Sequence, residues 1–82
     1  MSETLTGKRI PDDTETKWSP GDYWRLKGGW VGITPSGLFA GLGNHEVTEH
    51  EDGTITVKPS ILVRQSEKSW HGFLERGVWK EC

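Results

Sequence analysis

The 82-residue chain is long enough for one domain with a thin core, and a hydrophobic fraction of 32% with eleven glycines separates it from wholly disordered sequences. Its formal net charge of −2 provides no global positive field for a phosphate backbone, which leaves nucleic-acid binding a minority reading. The single cysteine, Cys82, excludes an intramolecular disulfide and a cysteine-only metal site, and no stretch approaches the ~18 apolar residues of a membrane span, so the expected setting is a reducing cytoplasm.

Residues 1–17 are rich in Thr, Glu, Asp and Lys, with Leu5 and Ile10 the main apolar groups. So little apolar area does not offset the entropy of ordering, and the composition predicts a flexible N-terminal arm. Ser19-Pro20-Gly21-Asp22 reads as a turn. Residues 18–82 then read as a single β-rich domain of short apolar runs punctuated by glycine every eight to twelve residues.

The predicted strands run Tyr23 to Lys27, Gly29 to Thr34, Leu38 to Ala40, His45 to His50, Thr54 to Lys58, Ile61 to Gln65, Trp70 to Leu74 and Val78 to Lys80. Glycine-bearing turns between them supply positive φ, and a helical turn is expected only around Arg64 to Ser69. The fold class is mainly β: a small antiparallel meander or barrel, or two packed short sheets.

One hairpin can be argued to its register. A three-residue Glu51-Asp52-Gly53 loop with left-handed Gly53 sets His50 opposite Thr54, Glu49 opposite Ile55 and Val47 opposite Val57. That register gathers the apolar residues on one face and places Glu46 opposite Lys58 on the other. Glu75-Arg76-Gly77 closes the last hairpin either as a three-residue loop or as a two-residue turn. Large apolar groups on both faces of that hairpin, Trp70 and Leu74 against Phe73, suggest a closed or doubly covered sheet.

Candidate chemistry is sparse. His45 and His50 sit in an acidic stretch, but they are five residues apart where a zinc-protease helix needs four, and on one strand they point to opposite faces. A two-residue last turn brings His71 opposite Cys82, which is half of a zinc site. No Ser, Cys or Thr stands in a recognisable nucleophile arrangement, and Gly28-Gly29 and Gly41-Leu42-Gly43 lack the spacing of a phosphate loop. The reading is therefore not an enzyme, with no cofactor and no metal.

Five tryptophans interleave with basic residues, as in Trp24-Arg25 and Trp79-Lys80. They are needed first as core, and any left exposed suit a protein interface. The candidate partner-binding residues are Trp24, Arg25, Trp30, His45, Glu49, His50, Trp70 and His71. The alternative is a single-stranded nucleic-acid-binding small β-barrel, which requires Lys17, Arg25, Lys68 and Lys80 to cluster beside an exposed tryptophan. Homo-oligomerisation through an unpaired edge strand is compatible with both.

The block Gly41-Leu42-Gly43-Asn44-His45, Asp52-Gly53-Thr54-Ile55-Thr56-Val57-Lys58-Pro59-Ser60-Ile61 and Trp70-His71-Gly72-Phe73-Leu74-Glu75-Arg76-Gly77-Val78-Trp79 resembles small uncharacterised proteins of actinobacterial phages and prophages. More distantly it is similar to a bacterial family of unknown function in which a DGT-T-PSI strand pair precedes an H-F-I-NG-V-W hairpin. Members of that family often carry a cysteine-rich, zinc-ribbon-like segment upstream. This chain lacks the segment, and His71 alone stands at a ligand-like position. The resemblance implies a non-catalytic phage accessory protein in the host cytoplasm that binds a host or phage protein.

Overall fold

The computed structural model describes residues 4–82, in which short alternating runs form nine strands and no helix. These are β1 (Thr4–Thr6), β2 (Lys8–Arg9), β3 (Asp22–Leu26), β4 (Gly29–Ile33), β5 (Phe39–Gly41), β6 (Glu46–Glu49), β7 (Ile55–Gln65), β8 (Lys68–Glu75) and β9 (Val78–Glu81). They make a five-stranded antiparallel sheet in the order β1-β9-β8-β7-β6 and a four-stranded mixed sheet in the order β2-β3-β4-β5. Of the architectures expected from sequence, two packed short sheets is the one adopted.

The arm is where composition misleads. Residues 1–3 lie outside the described residues, but Leu5 pairs with Trp79 in the large sheet and Arg9 with Tyr23 in the small one. The Gly7 N–H donates to the Gly77 carbonyl at 2.7 Å, and Ile10 N–H to the Tyr23 carbonyl at 3.1 Å. Farther along, Asp13 N–H donates to the Arg25 carbonyl at 2.7 Å and the Asp13 carboxylate accepts from Lys27 N–H at 2.8 Å. Two apolar side chains suffice because each docks on a core, Leu5 between the sheets and Ile10 on the outside of the small sheet, while backbone bonds satisfy the chain between them. The domain therefore begins before residue 18.

The main core lies between the sheets. Tyr23, Leu38, Ala40 and Leu42 come from the small-sheet side, and Ile55, Val57, Ile61, Trp70, Leu74 and Trp79 from the large sheet. A second cluster, Trp24, Val31 and Ile33, occupies the opposite face of the small sheet under Ile10, Leu26 and Phe39. Trp18 closes it, stacked on Trp24 with ring centroids 5.4 Å apart. Double coverage therefore belongs to β3 and β4, where consecutive residues are buried on both faces, and not to the last hairpin, where Phe73 is exposed.

The β6–β7 hairpin has the register argued above: Glu46 pairs with Lys58, Val47 with Val57 and Glu49 with Ile55, and Gly53 has φ +87°. The last hairpin takes the two-residue turn, with Glu75 opposite Val78 and Arg76 and Gly77 both at positive φ. No helical turn forms at Arg64 to Ser69. Gln65 pairs with Lys68 across a tight Ser66-Glu67 turn, and Ser66 takes φ +55° without a glycine to mark it. The two strands expected over 54–65 are one long strand whose register slips between Val57 and Ile61, at Pro59, which has no N–H to give the ladder.

Burial holds the Tyr23 phenol above its ordinary value, the nearby Arg9 charge opposing this in part. A group whose folded-state value is raised contributes stability that is intact below the unfolded value and lost as pH rises through the folded one. The urea midpoint is accordingly expected to fall as pH passes about 10, with a smaller drop in Tyr23→Phe. Parallel curves for the two proteins would show that Tyr23 carries none of this dependence.

Candidate functional site

The fold divides the sequence candidates into core, tether and surface. Trp24 and Trp70 are core: they are 0% and 3% exposed, Trp24 beneath Trp18 and Trp70 edge-on to Trp79 at 5.5 Å. Neither is available to a partner, because strand alternation turns both into packed interior.

Arg25, Trp30 and Glu49 are brought together by a residue the sequence reading placed in the arm. The Arg9 guanidinium lies over the Trp30 ring at 4.7 Å, with Arg25 at 5.6 Å. It donates to Glu49 Oε2 at 2.8 Å, to the Gly53 carbonyl at 3.1 Å and to Asp12 Oδ1 at 3.2 Å. The hydrogen bond to Glu49 is the main cause of the raised Arg9 value, opposed by partial burial. Arg9 thus tethers β2 to the tip of the β6–β7 hairpin. Stacking and pairing occupy Arg25, Trp30 and Glu49 internally.

The three histidines serve the large sheet. His45 Nε2 meets the Ser60 carbonyl at 3.2 Å and His71 Nε2 meets Ser60 Oγ at 3.0 Å, so both converge on the irregular stretch of β7. His50 Nε2 meets Thr56 Oγ1 at 2.7 Å, and the same hydroxyl oxygen accepts the Arg76 N–H at 3.0 Å. The backbone of Cys82 donates to the His71 carbonyl at 3.0 Å, so those residues do stand opposite each other. Among the described residues no three His, Cys, Asp or Glu side chains gather as metal ligands would.

What sequence reasoning missed is the outer face of the large sheet. Alternation from the buried positions Ile61, Trp70, Leu74 and Trp79 sends Leu62, His71, Phe73, Val78 and Lys80 outward. Phe73 is 45% exposed and Leu62 54%, two of the three large apolar side chains left in solvent among the described residues. Phe73 forms one wall of an open groove of about 720 Å³, facing Lys58, Pro59 and Thr56 from β7 and Glu46 and Asn44 from the β6 side. A signal for this was present: Phe73 stands between His71 and Glu75, in the polar phase of its strand.

Two close pairs of opposite charge lie on this face, and the exposed Arg64 shares the outward phase of Leu62. Lys80 Nζ donates to Glu75 Oε1 at 2.7 Å, and this bond holds the Glu75 carboxyl below its usual range. Glu46 and Lys58 are cross-strand partners. At the hairpin tip, hydrogen bonds from the Thr54 hydroxyl and backbone lower Asp52. Arg25 and Lys80 fall on different sheets, so the basic cluster required of a single-strand binder does not assemble. The chain matches no protein-family model, no curated protein and no solved structure.

Proposed function

We propose that the chain is a non-catalytic accessory module of phage type that binds a protein in the host cytoplasm through the outer face of its five-stranded sheet. One observation carries this reading: Phe73 and Leu62 stand in solvent on a sheet whose other face carries the main core. Exposed apolar groups rimmed by polar ones are the composition of an interface centre. The phage setting is proposed on the resemblance read from the sequence alone, over roughly residues 30–80.

The Ser60–His71 pair gives the opposing view its best case. A working nucleophile also needs an orienting partner on the imidazole and donors for an oxyanion. Among the described residues the only hydrogen bond of the His71 ring is to Ser60, which favours a binding role for this face.

A tagged chain in bacterial extract is expected to retain a protein that Phe73→Glu loses by at least tenfold, since buried aromatic anchors dominate interfaces. An unchanged set of bound proteins in the variant, or product release from an ester or phosphoester panel that Ser60→Ala abolishes, would refute the reading.

A further inference from the structure

The outer face of the large sheet is small and carries surplus positive charge. At ~3.3 Å per residue and ~4.8 Å between strands, β1, β6, β7, β8 and β9 span about 475 Å². That is little more than half of the roughly 800 Å² that each partner gives to a standard protein–protein contact. A short segment of chain, rather than a broad folded surface, fits such an area.

Two arginines set the charge of the face. Glu75 is bonded to Lys80 and Glu46 stands across from Lys58, so those four side chains cancel in pairs. Arg64 and Arg76 make no ion pair among the described residues and leave the face net positive, on a chain whose formal charge is −2. They stand at its two ends. Arg64 is opposite Ser69 near the start of β8, and Arg76 follows the last residue of β8, about 23 Å farther on at ~3.3 Å per residue. Between them lie Leu62, opposite His71, and Phe73, opposite Lys80. Past Arg76 the hairpin tip presents Glu51 and Asp52, which repel an acidic chain and end the favourable stretch there.

From this arrangement we infer that the occupant of the face is an acidic segment of a partner protein, about eight residues of extended chain laid along β8. Its carboxylates sit over Arg64 and Arg76 and its apolar side chains over Leu62 and Phe73. A guanidinium pairs with a carboxylate through two parallel hydrogen bonds, which suits both ends. A single-stranded nucleic acid fits less well, because its phosphates repeat at every unit and would meet Glu46 and Glu75 between the arginines. The aliphatic Leu62 also offers its bases no ring to stack on. A basic segment would be repelled at both ends. The inference rests on the binding role given to this face above and names the chemistry of what binds.

Selection from a random twelve-residue peptide library against the full chain tests it, followed by titration of the selected peptides at low and high salt. Peptides with Asp or Glu on both sides of an apolar centre are expected to dominate, and added salt to weaken them. Arg64→Thr and Arg76→Asn remove the two charges at exposed positions, Asn being a residue that accepts the positive φ of the second. Each is expected to weaken binding about threefold and the double variant about tenfold, with a shallower salt dependence and the near-ultraviolet signal of the Trp70–Trp79 pair unchanged. Selected peptides that are neutral or basic, or acidic peptides indifferent to both substitutions, overturn the inference. So does a library that yields nothing; if Phe73→Glu still loses a protein from extract in that case, the binding role of the face survives. An oligothymidine that displaces the selected peptides, and that the double variant no longer binds, also overturns it and puts nucleic acid in the segment's place.

Discussion

Trp79→Ala is expected to remove most of the stability of the domain. The indole is 0% exposed and joins the two sheets: it belongs to β9, meets Trp70 edge-on at 5.5 Å, and its Nε1–H donates to the Gly21 carbonyl at 2.9 Å. Its six-membered ring also sits close to Gly32 of the small sheet, where an added Cβ would come within 2.9 Å of Trp79 Cη2. Truncating a buried tryptophan costs about 3–5 kcal/mol, and a chain of this length holds roughly 4–12 kcal/mol in all. A melting temperature lower by about 12 °C or more, or a protein unfolded at room temperature, is the expected calorimetric result. Trp79→Phe separates packing from hydrogen bonding. The Gly21 carbonyl keeps the Lys8 N–H at 3.2 Å, so Phe should cost only about 1–2 kcal/mol. A loss of only a few degrees for Trp79→Ala would mean that the sheets are held together elsewhere.

Where local chemistry decides the structure, it was legible in the sequence. The β6–β7 register follows from one glycine able to take positive φ and from the requirement that Val47, Ile55 and Val57 share a face, both local facts. The last turn was open between two lengths because Gly77 suits either; the shorter one lets Trp79 face Leu74 inside the core. Ser66 escaped notice because a serine at positive φ leaves no mark in composition.

The candidate site was legible only in part, since it depends on which sheet face is covered. Trp24 and Trp70 looked like anchors because tryptophan favours interfaces, yet each falls in the buried phase of its strand. Phe73 falls in the opposite phase, and assuming that a large apolar residue must be covered hid it. Arg9 went unnoticed for a different reason. Its partners Trp30 and Glu49 are 21 and 40 residues away, a juxtaposition that only the docked N-terminal strand creates.

The second large effect is expected at Gly7, in a segment whose composition reads as dispensable. A Cβ there would lie 2.6 Å from the Gly21 carbonyl oxygen, 2.9 Å from that of Gly77 and 2.9 Å from Trp79 Nε1. The two carbonyls belong to backbone pinned on opposite sides of the core, Gly21 through its N–H to the Ile33 carbonyl at 2.8 Å and Gly77 through its N–H to the Ile55 carbonyl at 3.0 Å. Neither can yield, so in Gly7→Ala the N-terminal strand must move instead. It gives up the Gly7 bond to Gly77, uncovers the ring edge of Trp79 and withdraws Arg9 from Trp30 and Glu49. Overpacking of this kind costs about 1–3 kcal/mol, and trypsin should cut the variant faster after Lys8 or Arg9 because those bonds open more often. Gly43→Ala is the matched control: a Cβ there meets nothing within 4 Å, and its stability should stay within about 0.5 kcal/mol of the parent. Equal melting and equal resistance in all three proteins would mean that residues 4–10 are the loose arm their composition describes. A selective loss in Gly7→Ala would mean that a single missing methyl group is what lets this polar segment close the fold.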